Sequence, residues 1–313
     1  MEFFVVSLLN GSIYGLLLFM VSAGLTLIFG MMGVLNFAHT SFYMVGAYLA
    51  YSLQKYTGYW PAIVIAPILV GLIGAFGERY MLRRVHQYGH GHQLLLTFGV
   101  SFIITEVIKL FYGNYPVDYR VPEALNFSAF SIFGTNYPFY RLLIGATSLL
   151  MFALIYLLLT RTRVGIVVRS AIYKPRMGEA LGHNVPMVFM GVFAVGAGLA
   201  GLAGAVAGAF YTTNPNMALE LGVLVFVVVV VGGLGSLGGA MLSSLIIGLV
   251  SSFAVGIDWS LADLFSLVGM GDWARTTGGL LTLKVSSMAA TIPFLLMLLV
   301  LLIRPSGLMG NRE

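Results

Sequence analysis

Asn36, His39, Thr40 and Ser41 stand together just after Gly30 and Gly33, the two glycines that end a long apolar run. The spacing predicts a helix that begins near Phe37, capped by Asn36, with His39, Thr40 and Ser41 in its first turn. A helix start offers unpaired backbone N–H groups and the positive end of the helix dipole, so it can hold an anionic group. A shift of 202 residues lays Gly232 on Gly30, Gly235 on Gly33, Ser243 on Ser41 and Gly248 on Gly46. That register suggests an internal repeat; tight turns between packed helices would use the same glycines.

Other residues with chemical potential are few. Glu106 and Lys109 lie one helical turn apart and can pair with each other or snorkel. Glu220 opens a later apolar segment at the interface. So few ionisable groups within apolar segments argue against a proton- or ion-coupled carrier. His86, His90 and His92 are close in sequence, but without carboxylates beside them they read as a solvated basic loop rather than a metal site. There is no phosphate-binding Walker loop, no cysteine, and no acid, base or nucleophile set, which speaks against an enzyme.

These residues must be positioned by membrane helices. Of 313 residues, 59% are hydrophobic and 9% charged, against roughly 25% charged in a soluble domain. The composition predicts an all-α polytopic membrane protein, a single domain over 1–313. A spanning helix needs about 20 apolar residues. Nine segments qualify as transmembrane or partly re-entrant helices: 4–29, 36–54, 61–82, 94–112, 140–160, 187–210, 217–231, 237–257 and 286–303. The seventh is a valine run with strand propensity, yet an isolated strand in lipid leaves its backbone unpaired, so a helix is expected. The N-terminus lacks the basic start and cleavage site of a signal peptide, and the first helix is expected to remain as an anchor.

Ten of the sixteen Lys and Arg residues fall in three regions: after the third segment, after the fifth, and at the C-terminal end. With nine crossings all three lie on one side, which the positive-inside rule makes the cytoplasm, with the N-terminus outside. The charge of +5 therefore reads as orientation in a bilayer, not as a nucleic-acid surface. Tyr56 to Trp60 reads as an outer aromatic belt, and a short surface helix is expected within the loop 258–285. In the sixth segment Gly196, Ala200, Gly204 and Gly208 recur every fourth residue, a row that lets helices pack closely in lipid. That segment ends in a polar break, Tyr211-Thr212-Thr213-Asn214-Pro215-Asn216. The cytoplasmic loop 161–186 has an amphipathic start through Arg169, a break at Lys174-Pro175, and a second short helix with Glu179-Ala180-Leu181-Gly182. Its length suggests docking of another protein; acidic lipid headgroups are the other candidate.

Three stretches carry a family resemblance: Gly33-Val-Leu-Asn-Phe-Ala-His39 with Gly46-Ala-Tyr; Thr160-Arg-Thr-Arg-Val-Gly-Ile-Val-Val-Arg169 through Gly182; and Val231-Gly-Gly-Leu-Gly-Ser-Leu-Gly-Gly-Ala240. In these the chain resembles the permease subunits of branched-chain amino-acid ABC importers, of the LivH kind. Thr40 stands where that family commonly has glycine. The resemblance implies a second, LivM-like permease subunit, two ATP-binding subunits that carry ATP and Mg, and a periplasmic substrate-binding protein, all at the bacterial inner membrane. No cofactor is expected on this chain itself. Glu179 to Gly182 would form the coupling helix, with Arg169, Lys174 and Pro175 beside it. Asn36, His39, Thr40, Ser41, Tyr211, Thr212, Asn214, Gly232, Gly233, Gly235 and Ser236 would line or shape the translocation path. Family members also carry urea, short amides and small carboxylates. The competing expectation is a self-sufficient channel for a small neutral solute such as urea, which would not need the loop 161–186.

Overall fold

The computed structural model describes residues 1–132, 134–173, 179, 182–266 and 269–310. Nine helices correspond to the nine apolar segments, the last of them extended at its start by a 3-10 stretch over Val285–Thr291. They are α1 (Glu2–Met32), α2 (His39–Thr57), α3 (Tyr59–Gly77), α4 (His90–Tyr112), α5 (Phe139–Arg161), α7 (Val185–Ala207), α8 (Met217–Gly232), α9 (Leu237–Val255) and α12 (Ile292–Ile303). A shorter helix, α6 (Arg163–Tyr173), follows α5, and two more, α10 (Leu261–Ser266) and α11 (Gly271–Thr277), lie between α9 and α12. Among the described residues, seven helical stretches are long and apolar enough to cross a membrane. The other two of the nine depart for visible reasons: α2 buries polar side chains, and α8 has only 16 residues, about 24 Å at 1.5 Å per residue.

Two helices form the centre. α1 is apolar all round, and 78% of its spanning window is buried, as expected of a helix surrounded by others. It packs chiefly on α9 and α7, while α7 also packs on α2 and α3. Lipid offers no hydrophobic drive between helices, so close contact must come from small residues. The glycine row of α7 supplies it. A methyl group built on Gly204 would overlap the Tyr43 carbonyl, one on Gly196 would meet the Gly24 carbonyl, and one on Gly201 would meet Val70. On α2, Gly46 likewise abuts the Gly201 backbone. The expected tight packing of the sixth segment is therefore what the structure has.

The regions between helices differ from expectation in three places. The basic stretch after the third segment is not a loop: helix continues from α3 through a π-helical turn at Glu78–Leu82, a short α turn at Arg83–Val85 and a 3-10 turn at His86–Tyr88. Arg and Leu are good helix formers, and the chain reverses only at Gly89, whose φ of 91° suits glycine. His90 and His92 consequently stand in the first turn of α4. Second, the loop 113–138 contains a hairpin, β1 (Ser128–Ile132) against β2 (Thr135–Pro138). It also ties to the polar break after α7, with Val117 N–H donating to the Thr213 carbonyl at 3.0 Å and the Tyr119 hydroxyl to the Ala205 carbonyl at 2.7 Å. Third, the expected single surface helix in 258–285 is two short ones among the described residues, α10 and α11.

The two glycine-rich breaks meet. Gly33, at φ 64°, closes α1, and its N–H donates to the Phe29 carbonyl. Gly233 and Gly235, also at positive φ, close α8. Gly30 lies against the Gly235 backbone so closely that a Cβ on either would clash. The end of α8 is completed by the chain after α12: Leu308 N–H donates to the Val231 carbonyl at 2.8 Å and Met309 N–H to the Gly232 carbonyl at 3.0 Å. These bonds satisfy carbonyls that a helix end otherwise leaves open.

Candidate translocation site

The first helix start is more enclosed than its sequence implies. α2 begins at His39, and the Asn36 Oδ1 accepts the Ala38 N–H at 3.0 Å, so Asn36 organises the turn before the helix rather than its first turn. Phe37 N–H donates to Thr97 Oγ1 at 3.2 Å, His39 N–H to the Asn36 carbonyl and Ser41 N–H to the Ala38 carbonyl. These N–H groups are spent on protein acceptors. His39 is 1% exposed and its Nε2–H donates to the Val21 carbonyl of α1 at 2.9 Å, which leaves Nδ1 as a lone pair. Neither Nδ1 nor the Asn36 Nδ2 has a protein partner among the described residues. Both residues line a pocket of about 30 Å³ with Thr40, Gly222, Val225 and Phe226. That is room for water-sized groups. Ser41 turns elsewhere, its hydroxyl 2.8 Å from that of Ser101 on α4.

A much larger space opens where α1, α5, α8, α9 and the start of α12 converge: a cleft of about 880 Å³. Asn10 and Tyr14 of α1, Arg141 of α5, Tyr211 and Glu220 supply its polar groups, and Leu224, Pro293 and Phe294 are among its apolar walls. Arg141 Nη1 donates to Asn10 Oδ1. Its guanidinium carbon lies 5.6 Å from the Tyr137 ring centre and 5.3 Å from that of Phe210, within cation–π range. Burial holds the Tyr137 phenol above its ordinary pKa, while Arg141 pulls it the other way.

α8 is a wall common to both spaces. Glu220 and Leu224, one turn apart, face the cleft, while Gly222, Val225 and Phe226 on the opposite side face the small pocket. The residues expected to form one path therefore fall in separate places. Asn36, His39 and Thr40 share the small pocket, and Tyr211 reaches the cleft. Thr212 is exposed, and Asn214 accepts the Asn216 N–H at 2.8 Å, a local turn before α8. Gly232, Gly233, Gly235 and Ser236 build the break itself, where Ser236 Oγ caps α9 by accepting the Gly239 N–H at 3.1 Å. Of the coupling residues, Arg169 lies on α6, Glu179 is exposed, and Gly182 has φ 83°. Lys174, Pro175, Ala180 and Leu181 lie outside the described residues. Among the described residues no three His, Asp or Glu side chains gather as a metal site.

Arg141, Asn10 and Tyr14 were not singled out by the sequence. A lone arginine at the start of an apolar segment looks like a snorkelling anchor, and an asparagine in the first apolar run carries no spacing signal. Only the convergence of α1, α5 and α8 reveals them.

A multi-pass bundle with a glycine-packed centre and a polar cleft entering it is built to move or bind a solute within a membrane. The family model described as "Branched-chain amino acid transport system / permease component" matches residues 7–301, and the chain belongs to that family. It is 28% identical to the high-affinity branched-chain amino acid transport system permease protein BraD of Pseudomonas aeruginosa, over 98% of this chain and 95% of the relative. It is 26% identical to the corresponding permease protein LivH of Escherichia coli (strain K12), over 99% and 97%. A probable branched-chain amino acid transport permease protein LivH of Methanocaldococcus jannaschii is 28% identical over 97% and 92%. No solved structure matches.

Proposed function

We propose that this chain is the membrane-spanning subunit of an ATP-driven importer for branched-chain or closely related small amino acids, working by alternating access. The family match from residue 7 to 301, at nearly full length against relatives named as branched-chain amino acid permeases, carries the reading. ATP and Mg are bound and used on two partner subunits, so this chain is a transport subunit and not an enzyme. A second permease subunit completes the path, and a periplasmic binding protein delivers substrate to the outer loops. The basic residues at one set of helix ends support a cytoplasmic position for those ends, in a bacterial inner membrane with the N-terminus outside. There the segment 161–186 receives the ATP-binding subunits. Substrate enters from the outer cleft, and the enclosed groups of the small pocket act nearer the cytoplasmic end, as a gate.

The test is purification of the tagged chain in mild detergent, identification of its partners by mass spectrometry, and reconstitution in liposomes. Two ATP-binding subunits, a second permease and ATP-dependent leucine uptake with the cognate binding protein are expected. Solute flux through this chain alone, without ATP, overturns the reading.

A further inference from the structure

We propose that the outer cleft is a receiving site for one zwitterionic α-amino acid, in which Arg141 takes the carboxylate and Glu220 the ammonium group. The inference rests on the reading of the chain as an amino-acid permease subunit and adds to it a place and a chemistry of recognition.

Arg141 and Glu220 are the two charged residues of the cleft lining. Neither is ion-paired with the other, or with any other described residue. Arg141 is half-buried and Glu220 is exposed to the open cleft, so both charges stay accessible to a solute that enters it. Here they stand on different helices, Arg141 in the first turn of α5 and Glu220 in the first turn of α8, across a space of about 880 Å³. That volume lies within the range of about 300–1,000 Å³ typical of small-molecule sites.

The guanidinium is also held in place. Asn10 accepts from Nη1, and the rings of Tyr137 and Phe210 flank the group. Its protein partners, Asn10 and the Tyr137 phenol, are neutral and leave its charge uncompensated. A planar fork of five N–H donors suits a carboxylate better than a point charge would. The carboxylate of Glu220 accepts an ammonium group by the same logic. Leu224, lying one turn beyond Glu220, and Pro293 and Phe294 of α12 offer apolar surface to an aliphatic side chain. At the start of α2 the N–H groups of Phe37, Ala38, His39 and Ser41 are engaged with protein acceptors, and the pocket there, of about 30 Å³, is too small for an amino acid. A solute with one charge satisfies one side of the cleft and leaves the other bare; a zwitterion satisfies both.

The experiment uses the assembled transporter in nanodiscs, without binding protein, and radiolabelled L-leucine as probe. Competitors are 4-methylpentanoate, which lacks the ammonium group, and 3-methylbutylamine, which lacks the carboxylate. The wild type should bind leucine and ignore both competitors. Arg141→Gln and Glu220→Gln should each weaken leucine binding by about tenfold or more, the weight of one hydrogen bond to a charged group. Glu220→Gln should now admit the carboxylate analogue and Arg141→Gln the amine. A merely structural role for either residue would not exchange the competitors in this way. Arg141→Lys, which keeps charge without the fork, covers the case in which Arg141→Gln fails to assemble, and should fall between the two. Lys109→Gln, on α4 and away from the cleft, should match wild type.

Leucine binding unchanged in both neutral variants, or lost without any exchange of competitors, overturns the inference while ATP-dependent uptake still upholds the permease reading. Loss of the second permease from the purified variants, with normal leucine binding by the complexes that remain, also overturns it and marks the cleft as a subunit contact. A wild-type complex that moves no leucine with ATP and binding protein removes the permease reading itself, and the inference falls with it.

Discussion

The Glu78 carboxylate, 2% exposed in the π-helical turn below α3, accepts two hydrogen bonds from Arg83, at 3.2 Å from Nε and 2.7 Å from Nη2. The same Nη2 also donates to the Pro186 carbonyl at 2.8 Å, in the first turn of α7. One guanidinium thus joins the end of α3 to the helix that begins where the segment 161–186 ends. Removing Arg83 strands a buried carboxylate, whereas removing Glu78 leaves an arginine that is 37% exposed on its side chain and can reach water. Arg83→Ala should therefore destabilise more than Glu78→Gln, by about 1–3 kcal/mol after allowance for screening of the exposed partner. Thermal melts in detergent check this, and adding Glu78→Gln to Arg83→Ala should recover part of the loss. Equal costs for the two single variants would refute the account.

The glycine contacts of the core predict a contrast between helical glycines. Gly46→Ala and Gly204→Ala drive a methyl group into the backbone of a neighbouring helix and should cost at least about 1–3 kcal/mol. Gly99→Ala and Gly191→Ala meet nothing within 4 Å and should be neutral or slightly stabilising. Yield of folded protein by size-exclusion chromatography, with melting temperature, separates the two pairs.

Glu179 is exposed, and the proposed ATPase contact passes through it. Glu179→Arg should leave the permease folded and lower leucine uptake per ATP hydrolysed several-fold. Gly182→Trp is expected to uncouple as well, but at φ 83° any side chain is strained, so Glu179 gives the cleaner measurement. Coupled uptake at the wild-type ratio in Glu179→Arg would count against docking there.

Asn36→Leu removes the acceptor for Ala38 N–H and a polar wall of the small pocket, with a stability loss of about 1 kcal/mol. Asn36→Ser keeps an acceptor without adding charge to a site that is 3% exposed. If the pocket belongs to the path, both variants should lower uptake, and Asn36→Leu should lower the melting temperature more than Asn36→Ser. Wild-type uptake in both places Asn36 outside the path.

The segment 258–285 should loosen in acid. The Ser260 hydroxyl donates to Asp263 at 2.7 Å, Ser260 N–H donates at 2.9 Å, and Arg275 lies 3.1 Å away. Ser260, foremost, and then Arg275 hold the Asp263 carboxyl below its ordinary value. A lowered folded pKa means that the stabilisation is present above the unfolded value, near 3.8. It is lost as pH falls below that through the lowered one. Hydrogen exchange of 260–266 should rise over that window in the wild type, and the rise should be absent in Asp263→Asn.

Most of the helical framework was legible because apolar runs report membrane crossings directly. The short, valine-rich α8 was readable as helix only through the requirement that lipid-facing backbone be paired. The end of α3 was harder: Gly77 and the arginines after it resemble a loop, and only the pair Glu78–Arg83 shows why helix persists. The hairpin around Gly134 was missed because its strands are short and its anchor, Val117 on Thr213, is distant in sequence. The helix start at Asn36 was visible in sequence, but the engagement of its N–H groups was not, since Thr97 belongs to another helix. Arg141 was invisible as a site for the same reason: Asn10 meets it, and Glu220 joins it in one cleft lining, only when α1, α5 and α8 assemble.

The placement of α8 between two spaces has a mechanical consequence. Opposite faces of the helix line different spaces, so a shift of α8 toward the cleft would take room from it and give room to the small pocket around Asn36 and His39, and the reverse. The helix is bounded by a turn at each end, one at Asn214 and Asn216 and one at the paired glycines, where Gly235 rests on Gly30.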